Sequence, residues 1–390
     1  MRKLTMRILF TTVILFFAST SFSYREICFV GATPNFFKAG YSAIRDIASR
    51  YPEAHIRLGL ISEIGETPPI VKDLEISGKL SFHTWPRGDK RKVKSTFMPT
   101  REISAEMDAL VQFFHGCTAA FLVPPIDHRV AIGRSYAKAV AIARVPYAVV
   151  LGVQYAPHIY REKYGEEAPQ IALDAEELYA AMELIFEKYS SPIKYIIFHT
   201  PMFLENILYQ TQRLQNYQAF YWPLTRNAEF AYITCKDLGK IVSQSLVEFE
   251  EFISRYNHIN KKIPEKRADI SLVGGTTNAA QLEKYFKEIV NNNIIFKEQT
   301  RESFVKELRL YLDKSEEGAE TIAELYDEIK KGRDLLDLDT TIIDLLHTPP
   351  QSAQEWIKEH RACFIKESSS TFPLPPPEHQ APIPPEWNTL

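Results

Sequence analysis

The sequence predicts an α/β protein built on a doubly wound parallel sheet, with a smaller, mostly helical carboxyl-terminal lobe. Short strand-type runs are apolar throughout rather than alternating, which is what strands buried on both faces of a parallel sheet require. Helix-length amphipathic segments separate them, as right-handed strand–helix–strand crossovers need. Composition agrees: 390 residues with 45% hydrophobic and 24% charged content fall in the globular range and exclude a collagen, a coiled-coil rod or a wholly disordered chain.

The strand runs of the first half are 26–30, 55–60, 80–83, 119–123, 148–153 and 194–199. Helical stretches lie between them at 38–51, 102–114, 131–143 and 174–189. Beyond His199 helices dominate, at 203–211, 237–256, 278–291, 301–312, 318–331 and 351–361, with short strand candidates at 230–234, 270–273 and 294–297. The second half reads as a lobe closing over the carboxyl edge of the sheet. Asp237 is expected to cap its helix by accepting first-turn N–H groups.

Both ends of the chain have a character of their own. Met1 to Arg7 is basic, and residues 8–18 are apolar apart from Thr11 and Thr12, too short a run to cross a bilayer core of about 30 Å. Small residues follow, with Ser21-Phe22-Ser23 as a cleavage site. Residues 1–23 are expected to be a secretory signal peptide, which places the protein in the secretory pathway or outside the cell and leaves no transmembrane span after its removal. A retained anchor, or a cytoplasmic protein in which the leader is not used, are the alternatives. Residues 366–390 are proline-rich, carrying Pro373, Pro375, Pro376, Pro377, Pro382, Pro384 and Pro385. Such a segment is an extended, disordered tail, or a ligand for the aromatic-lined groove of a protein partner.

Charge and cysteine content narrow the function classes. The net charge of −3 comes without a long basic block, so nucleic acid is excluded as a partner, and the basic run at 87–94 reads as a solvated loop. The four cysteines, Cys28, Cys117, Cys235 and Cys363, have neither metal-ligand nor disulfide-scaffold spacing and are expected as buried free thiols. His115, Asp127 and His128 lack ligand spacing, so no metal is expected, and no Gly-x-Ser-x-Gly elbow supports a serine hydrolase.

The first strand runs into Gly31-Ala32-Thr33-Pro34-Asn35-Phe36-Phe37-Lys38-Ala39-Gly40 and then a helix. A dinucleotide loop needs glycines for a tight turn, for backbone approach to the pyrophosphate and for close helix–strand packing. Only the first is in place. Pro34 removes a backbone donor and Phe37 sets a large ring where close packing is required; both oppose dinucleotide binding.

Val30-Gly31-Ala32-Thr33 opening a helix resembles the Gly-Ala-Thr-Gly start of the atypical short-chain dehydrogenase/reductases, in particular the NmrA-like family. His199-Thr200-Pro201-Met202-Phe203-Leu204-Glu205-Asn206 is similar to that family's Arg-Pro-x-x-Phe-x-Glu-Asn segment. Tyr232-Ile233-Thr234-Cys235-Lys236-Asp237-Leu238-Gly239 resembles its strand-to-helix segment, and residues 347–356, ending Glu355-Trp356, resemble its closing segment. The resemblance spans about residues 25–364. It implies a Rossmann-type domain over 24–200, a substrate or partner lobe over 201–365, and NAD or NADP as cofactor. Gly31, Thr33, Asn35 and Phe36 in the loop are the implied cofactor contacts, joined by Gly152 after the fifth strand. Pro124 and Pro125 either line an adenine or nicotinamide-ribose pocket or simply end the fourth strand. Glu63 either accepts from a ribose hydroxyl, favouring the unphosphorylated cofactor, or is a solvated acid. His199, Phe203 and Asn206 are candidate substrate or lobe contacts.

The reductase chemistry of that family is not matched residue by residue. Its serine position falls on Gly152, no Tyr-x-x-x-Lys stands on the matching helix, and Tyr179 occupies a position where relatives keep a lysine. Catalytic residues are left unassigned. The reading is a nucleotide-sensing or partner-binding protein with degenerate catalytic positions. An active NAD(P)-dependent oxidoreductase acting on a quinone or carbonyl compound, and a secreted protein interacting through its proline-rich tail, are the alternatives.

Overall fold

The computed structural model describes residues 25–31, 34–60, 80–84, 100–126, 128–153, 157–165, 168–259, 266–311, 314–333 and 341–365. The expected leader, Thr33, Glu63, Asp127, the basic run at 87–94 and the proline-rich tail lie outside them.

The central sheet has seven strands, all parallel: β1 (Arg25–Gly31), β2 (Ala54–Leu60), β3 (Leu80–Thr84), β4 (Ala119–Val123), β5 (Tyr147–Val153), β6 (Lys194–Thr200) and β10 (Arg267–Ser271). Their order is β10-β6-β5-β4-β1-β2-β3. Alternate residues of each inner strand feed two separate cores. Ile27 and Phe29 of β1 join one cluster; Cys28 and Val30 join the other. Burial on both faces is therefore the physical cause of the unbroken apolar runs.

The first core lies under α1 (Pro34–Arg50), with three helices that come late in the chain: α7 (Cys235–Val247), α8 (Phe249–Ile259) and α12 (Thr341–Leu346). The opposite core lies under α2 (Thr100–Phe114), α3 (Arg129–Ile142) and α5 (Gln170–Lys188). Gly239 lets α7 approach α1 closely, since a Cβ there would run into Ser42 and the Ala43 backbone N at 2.8 Å.

A third core belongs to the carboxyl-terminal lobe. It is built from β7 (Met202–Phe203), α6 (Thr211–Tyr217), β8 (Ala219–Trp222), β9 (Phe230–Ile233), β11 (Gly275–Thr277), α9 (Ala279–Ile289), β12 (Ile295–Glu298), α10 (Arg301–Tyr311), α11 (Glu316–Lys330) and α13 (Ala353–Glu359). Strands β11, β9 and β7 form one small sheet, and β12 and β8 another. One further helix, α4 (Pro157–Tyr164), follows β5.

Several expectations are corrected. The lobes do not divide at residue 200: α7, α8 and β10 return to the main sandwich, because β10 pairs with β6 and α7 covers α1. The helix expected over 237–256 is two, broken at Glu248 (φ −117°, ψ 43°), and residues 204–210 form a 3-10 helix. Thr234, not Asp237, is the cap of α7: its hydroxyl accepts from the Asp237 N–H. Cys28 and Cys117 are joined in a disulfide, while Cys235 and Cys363 take no part in it and are buried. The two cysteines stand 6.2 Å apart at Cα, within bonding reach, because β1 pairs with β4 and Cys117 lies just before that strand.

Candidate functional site

Ligands of open parallel sheets bind outside the carboxyl ends of the strands, where the order reverses. Here that point lies between β1 and β4, whose neighbours run in opposite directions through the sheet. Gly31 pairs with Val123 at the end of β1, and Gly152 pairs with His199 one level higher on β5 and β6. Pro124 and Pro125 continue from β4 beside them, Pro124 buried and Pro125 half-buried. The fold therefore gathers Gly31, Pro124, Pro125, Gly152 and His199 along one edge. Asn35 and Phe36 lie in the first turn of α1, next to Gly31. That turn carries no acidic residue, so the positive end of the helix is available to an anionic group. The helix end favours a pyrophosphate there, and Pro34, which has no N–H to give, opposes it.

Gly152, the residue at the expected serine position, has no room for a side chain. A Cβ on it would collide with the Tyr179 hydroxyl and would stand 3.0 Å from Ile197 Cγ2 and 3.1 Å from the Phe198 carbonyl oxygen. Tyr179 of α5 thus reaches across the sheet edge into the space a serine would use. Its hydroxyl is buried beside the Val153 backbone and donates to no described residue. Burial pushes its pKa up to about 12, opposed by the Arg129 charge and by the Val153 backbone.

His199 is held on both sides. Nδ1 contacts the Val153 carbonyl oxygen at 2.8 Å and Nε2 contacts Asp269 Oδ1 at 2.9 Å. Both ring nitrogens are therefore engaged, one by a backbone carbonyl and one by a carboxylate. Asp269 also accepts from Arg267 at 2.7 and 3.0 Å. Burial alone would raise the Asp269 pKa, but His199 and Arg267 bring it down to about 2. The histidine clamps β10 to the end of β5, and neither nitrogen is left for a substrate.

Phe203 is buried in the core under the sheet, and Asn206 is half-buried in the 3-10 helix beyond it. Their neighbour Glu205 accepts from the Cys235 N–H at 2.9 Å and from Trp356 Nε1 at 3.1 Å. Asp237 Oδ2 accepts from the Thr234 hydroxyl at 2.9 Å and the Gln351 N–H at 2.8 Å, and the Ala353 N–H donates to the Tyr232 hydroxyl at 2.9 Å. Three segments far apart in sequence, around Glu205, Asp237 and Trp356, are thereby tied to one another. Their chemistry is that of a structural clasp between the lobe and α7.

Sequence reasoning missed Arg129. It opens α3, five positions beyond Pro124, and is buried. No local pattern distinguishes it from a surface arginine at a helix start; only the fold places it near Tyr179. Among the described residues no group of three or more His, Cys, Asp or Glu could hold a metal ion, and no helix is long and apolar enough to cross a membrane.

The fold is that of Rossmann-type NAD(P)-binding proteins. A nucleoside-diphosphate-sugar epimerase from Staphylococcus aureus is 16% identical, with a TM-score of 0.56 over 86% of this chain and 99% of its own. An NADPH-dependent quinone oxidoreductase from Escherichia coli, in complex with NADPH, is 14% identical, with a TM-score of 0.57 over 85% of this chain and 99% of its own. The Citrobacter sp. triphenylmethane reductase in complex with NADP(H) is 13% identical, with a TM-score of 0.56 over 86% and 99%. No family model matches the sequence, and no curated protein matches it significantly.

Proposed function

We propose that the protein binds a nicotinamide dinucleotide along the carboxyl edge of its sheet and acts as a nucleotide-responsive binding protein rather than as a Ser/Tyr/Lys-type reductase. The cofactor's pyrophosphate would lie at the first turn of α1 beside Gly31, and its nicotinamide end would lie toward Pro124 and Gly152. When bound, the dinucleotide supplies a hydride donor or acceptor. The observation carrying the reading is at Gly152, where Tyr179 fills the place of a catalytic hydroxyl. Calorimetric titration with NADPH, NADP, NADH and NAD tests it. Binding of at least one form with no turnover of quinones or carbonyl compounds supports the reading; no binding of any form defeats it.

A second reading, an NAD(P)-dependent oxidoreductase acting on a quinone or carbonyl compound, is favoured by one contact. The buried, neutral Tyr179 hydroxyl stands at the reactive edge within the field of the Arg129 charge, as a proton donor would. Loss of NADPH absorbance against a quinone panel, abolished by Tyr179→Phe, would establish it.

We also propose that the protein matures in an oxidising compartment, consistent with the leader-like residues 1–23. The Cys28–Cys117 disulfide supports this, since such bonds persist mainly in secreted and lumenal proteins. Intact mass of the protein from its native cells tests both the bond and the removal of the leader.

A further inference from the structure

Arg129 is 7% exposed, and neither its Nε nor its Nη1 has a hydrogen-bond partner among the described residues. An unpaired buried guanidinium is a costly arrangement, normally relieved by a carboxylate or phosphate. Among the described residues, the acid that acts on it is Asp174 on α5, which forms no ion pair with it and instead accepts from Gln170 Nε2 at 2.7 Å. Burial pushes the Arg129 pKa down, so its surroundings oppose the charge rather than compensate it.

The same place has two further sources of donors, of which the Arg129 N–H is already turned to the Ile126 carbonyl oxygen at 3.4 Å. Arg129 begins a helix of 14 residues whose cap, His128, makes no side-chain bond to the first turn, and that turn contains no acid. The Tyr179 hydroxyl, against Gly152, is buried and donates to no described residue. All of this lies beyond the ends of β4 and β5, on the α3/α5 face of the sheet. The first turn of α1, where a pyrophosphate would sit, belongs to the opposite face.

We propose that Arg129, the amino terminus of α3 and the Tyr179 hydroxyl form a subsite for the anionic oxygens of a small ligand, a carboxylate or phosphate group. Arg129 supplies the counter-charge, the helix end supplies backbone donors, and Tyr179 supplies a neutral one. The proposal does not depend on a dinucleotide at Gly31.

The test is thermal unfolding of the full chain in a chloride buffer, with sodium phosphate or sodium malonate replacing chloride at constant ionic strength. Wild type, Arg129→Met and Arg129→Lys are compared. The subsite predicts that either anion raises the wild-type Tm by about 2 °C or more. The Met variant should not respond and, without added anion, should melt at or above wild type, since an unpaired buried charge has been removed. The Lys variant should respond weakly. A Met variant that melts well below wild type or fails to fold would mean that Arg129 is a structural residue, and the proposal falls. An equal response in wild type and Met variant, an adventitious ion only, overturns it as well. A parallel arm with NADP identifies the source of the anion. If the Met variant loses an NADP effect but phosphate and malonate have none, the oxygens are the cofactor's own. If no dinucleotide binds while phosphate or malonate behaves as expected, the nucleotide reading fails and the subsite stands.

Discussion

Placing a methyl group at Gly152 probes the most confined point of the sheet edge. In Gly152→Ala the added Cβ must displace the Tyr179 hydroxyl, and it meets Ile197 Cγ2 at 3.0 Å and the Phe198 carbonyl oxygen at 3.1 Å. The carbonyl belongs to β6, paired through its whole length with β5, and cannot retreat without breaking the ladder. Overpacking of this kind costs about 1–3 kcal/mol. Tyr179→Phe removes the first obstacle together with a buried hydroxyl that donates to no described residue, so alone it should be neutral or stabilising by up to ~1 kcal/mol. In that background Gly152→Ala should cost about 1 kcal/mol less than in wild type, the Ile197 and Phe198 contacts accounting for the remainder. Urea unfolding followed by tryptophan fluorescence, run on wild type, both single variants and the double variant, measures the coupling. A Gly152→Ala protein as stable as wild type, or the same cost in both backgrounds, would refute the claim that the Tyr179 hydroxyl occupies the missing side chain's place.

Other expectations follow from the charged groups and the thiols. Burial would raise the Glu283 pKa, but Arg226 at 2.8 Å, Lys287 and the Phe296 N–H at 2.9 Å hold it near 2, below its usual 4.5. A depressed folded pKa gives stability that is present above pH 4.5 and lost as pH falls toward 2. Glu283→Gln should lower stability by about 1–3 kcal/mol at neutral pH and flatten that acid limb in pH-dependent melting. Thiol labelling should find no reactive cysteine in the native protein, two after unfolding without reductant and four after reduction, as the one disulfide and two buried thiols require. With its cysteines 89 positions apart, the disulfide should contribute up to ~4–5 kcal/mol by restricting the unfolded chain. Its reduction should lower the unfolding midpoint accordingly.

The parts of the fold legible in the sequence are those whose burial is uniform. Strands β1, β4, β5 and β6 face a core on each side, so every residue reports the same preference. β10 is different: in Arg267-Ala268-Asp269-Ile270-Ser271 the buried residues alternate with more exposed ones, as befits an edge strand. Sequence reasoning placed it three residues late and outside the main sheet, since only the stretch from Ile270 to Val273 has the apolar character of the other strands. α4 left no trace because what holds it is distant. Tyr160 bonds to Glu328, 168 residues away, and accepts from Arg333 at 3.1 Å. The break at Glu248 has a tertiary setting too, with the Tyr51 hydroxyl donating to its carboxylate at 2.7 Å. Gly31, Pro124 and Gly152 were readable as positions at the carboxyl ends of parallel strands, because the apolar runs leading to them are unbroken. Arg129 was not, because its significance is a missing partner, and a missing partner is a property of the folded neighbourhood alone.

The return of α7 to cover α1 also sets an order of events at the ribosome. The apolar face of α1 is synthesised by residue 50, yet the helix that buries it ends at Val247. At about 5–20 residues per second, that face waits roughly 10–40 s for its cover. Strand β10 arrives later still, so β6 remains an open edge until residue 271 has emerged. Cys28 and Cys117, by contrast, are both available early in that interval. The growing chain can therefore fasten β1 beside β4 while half of its principal core is still exposed. During that interval a holdase chaperone would find α1 uncovered, and a nascent chain stalled before residue 235 would be far more prone to aggregate than the finished protein.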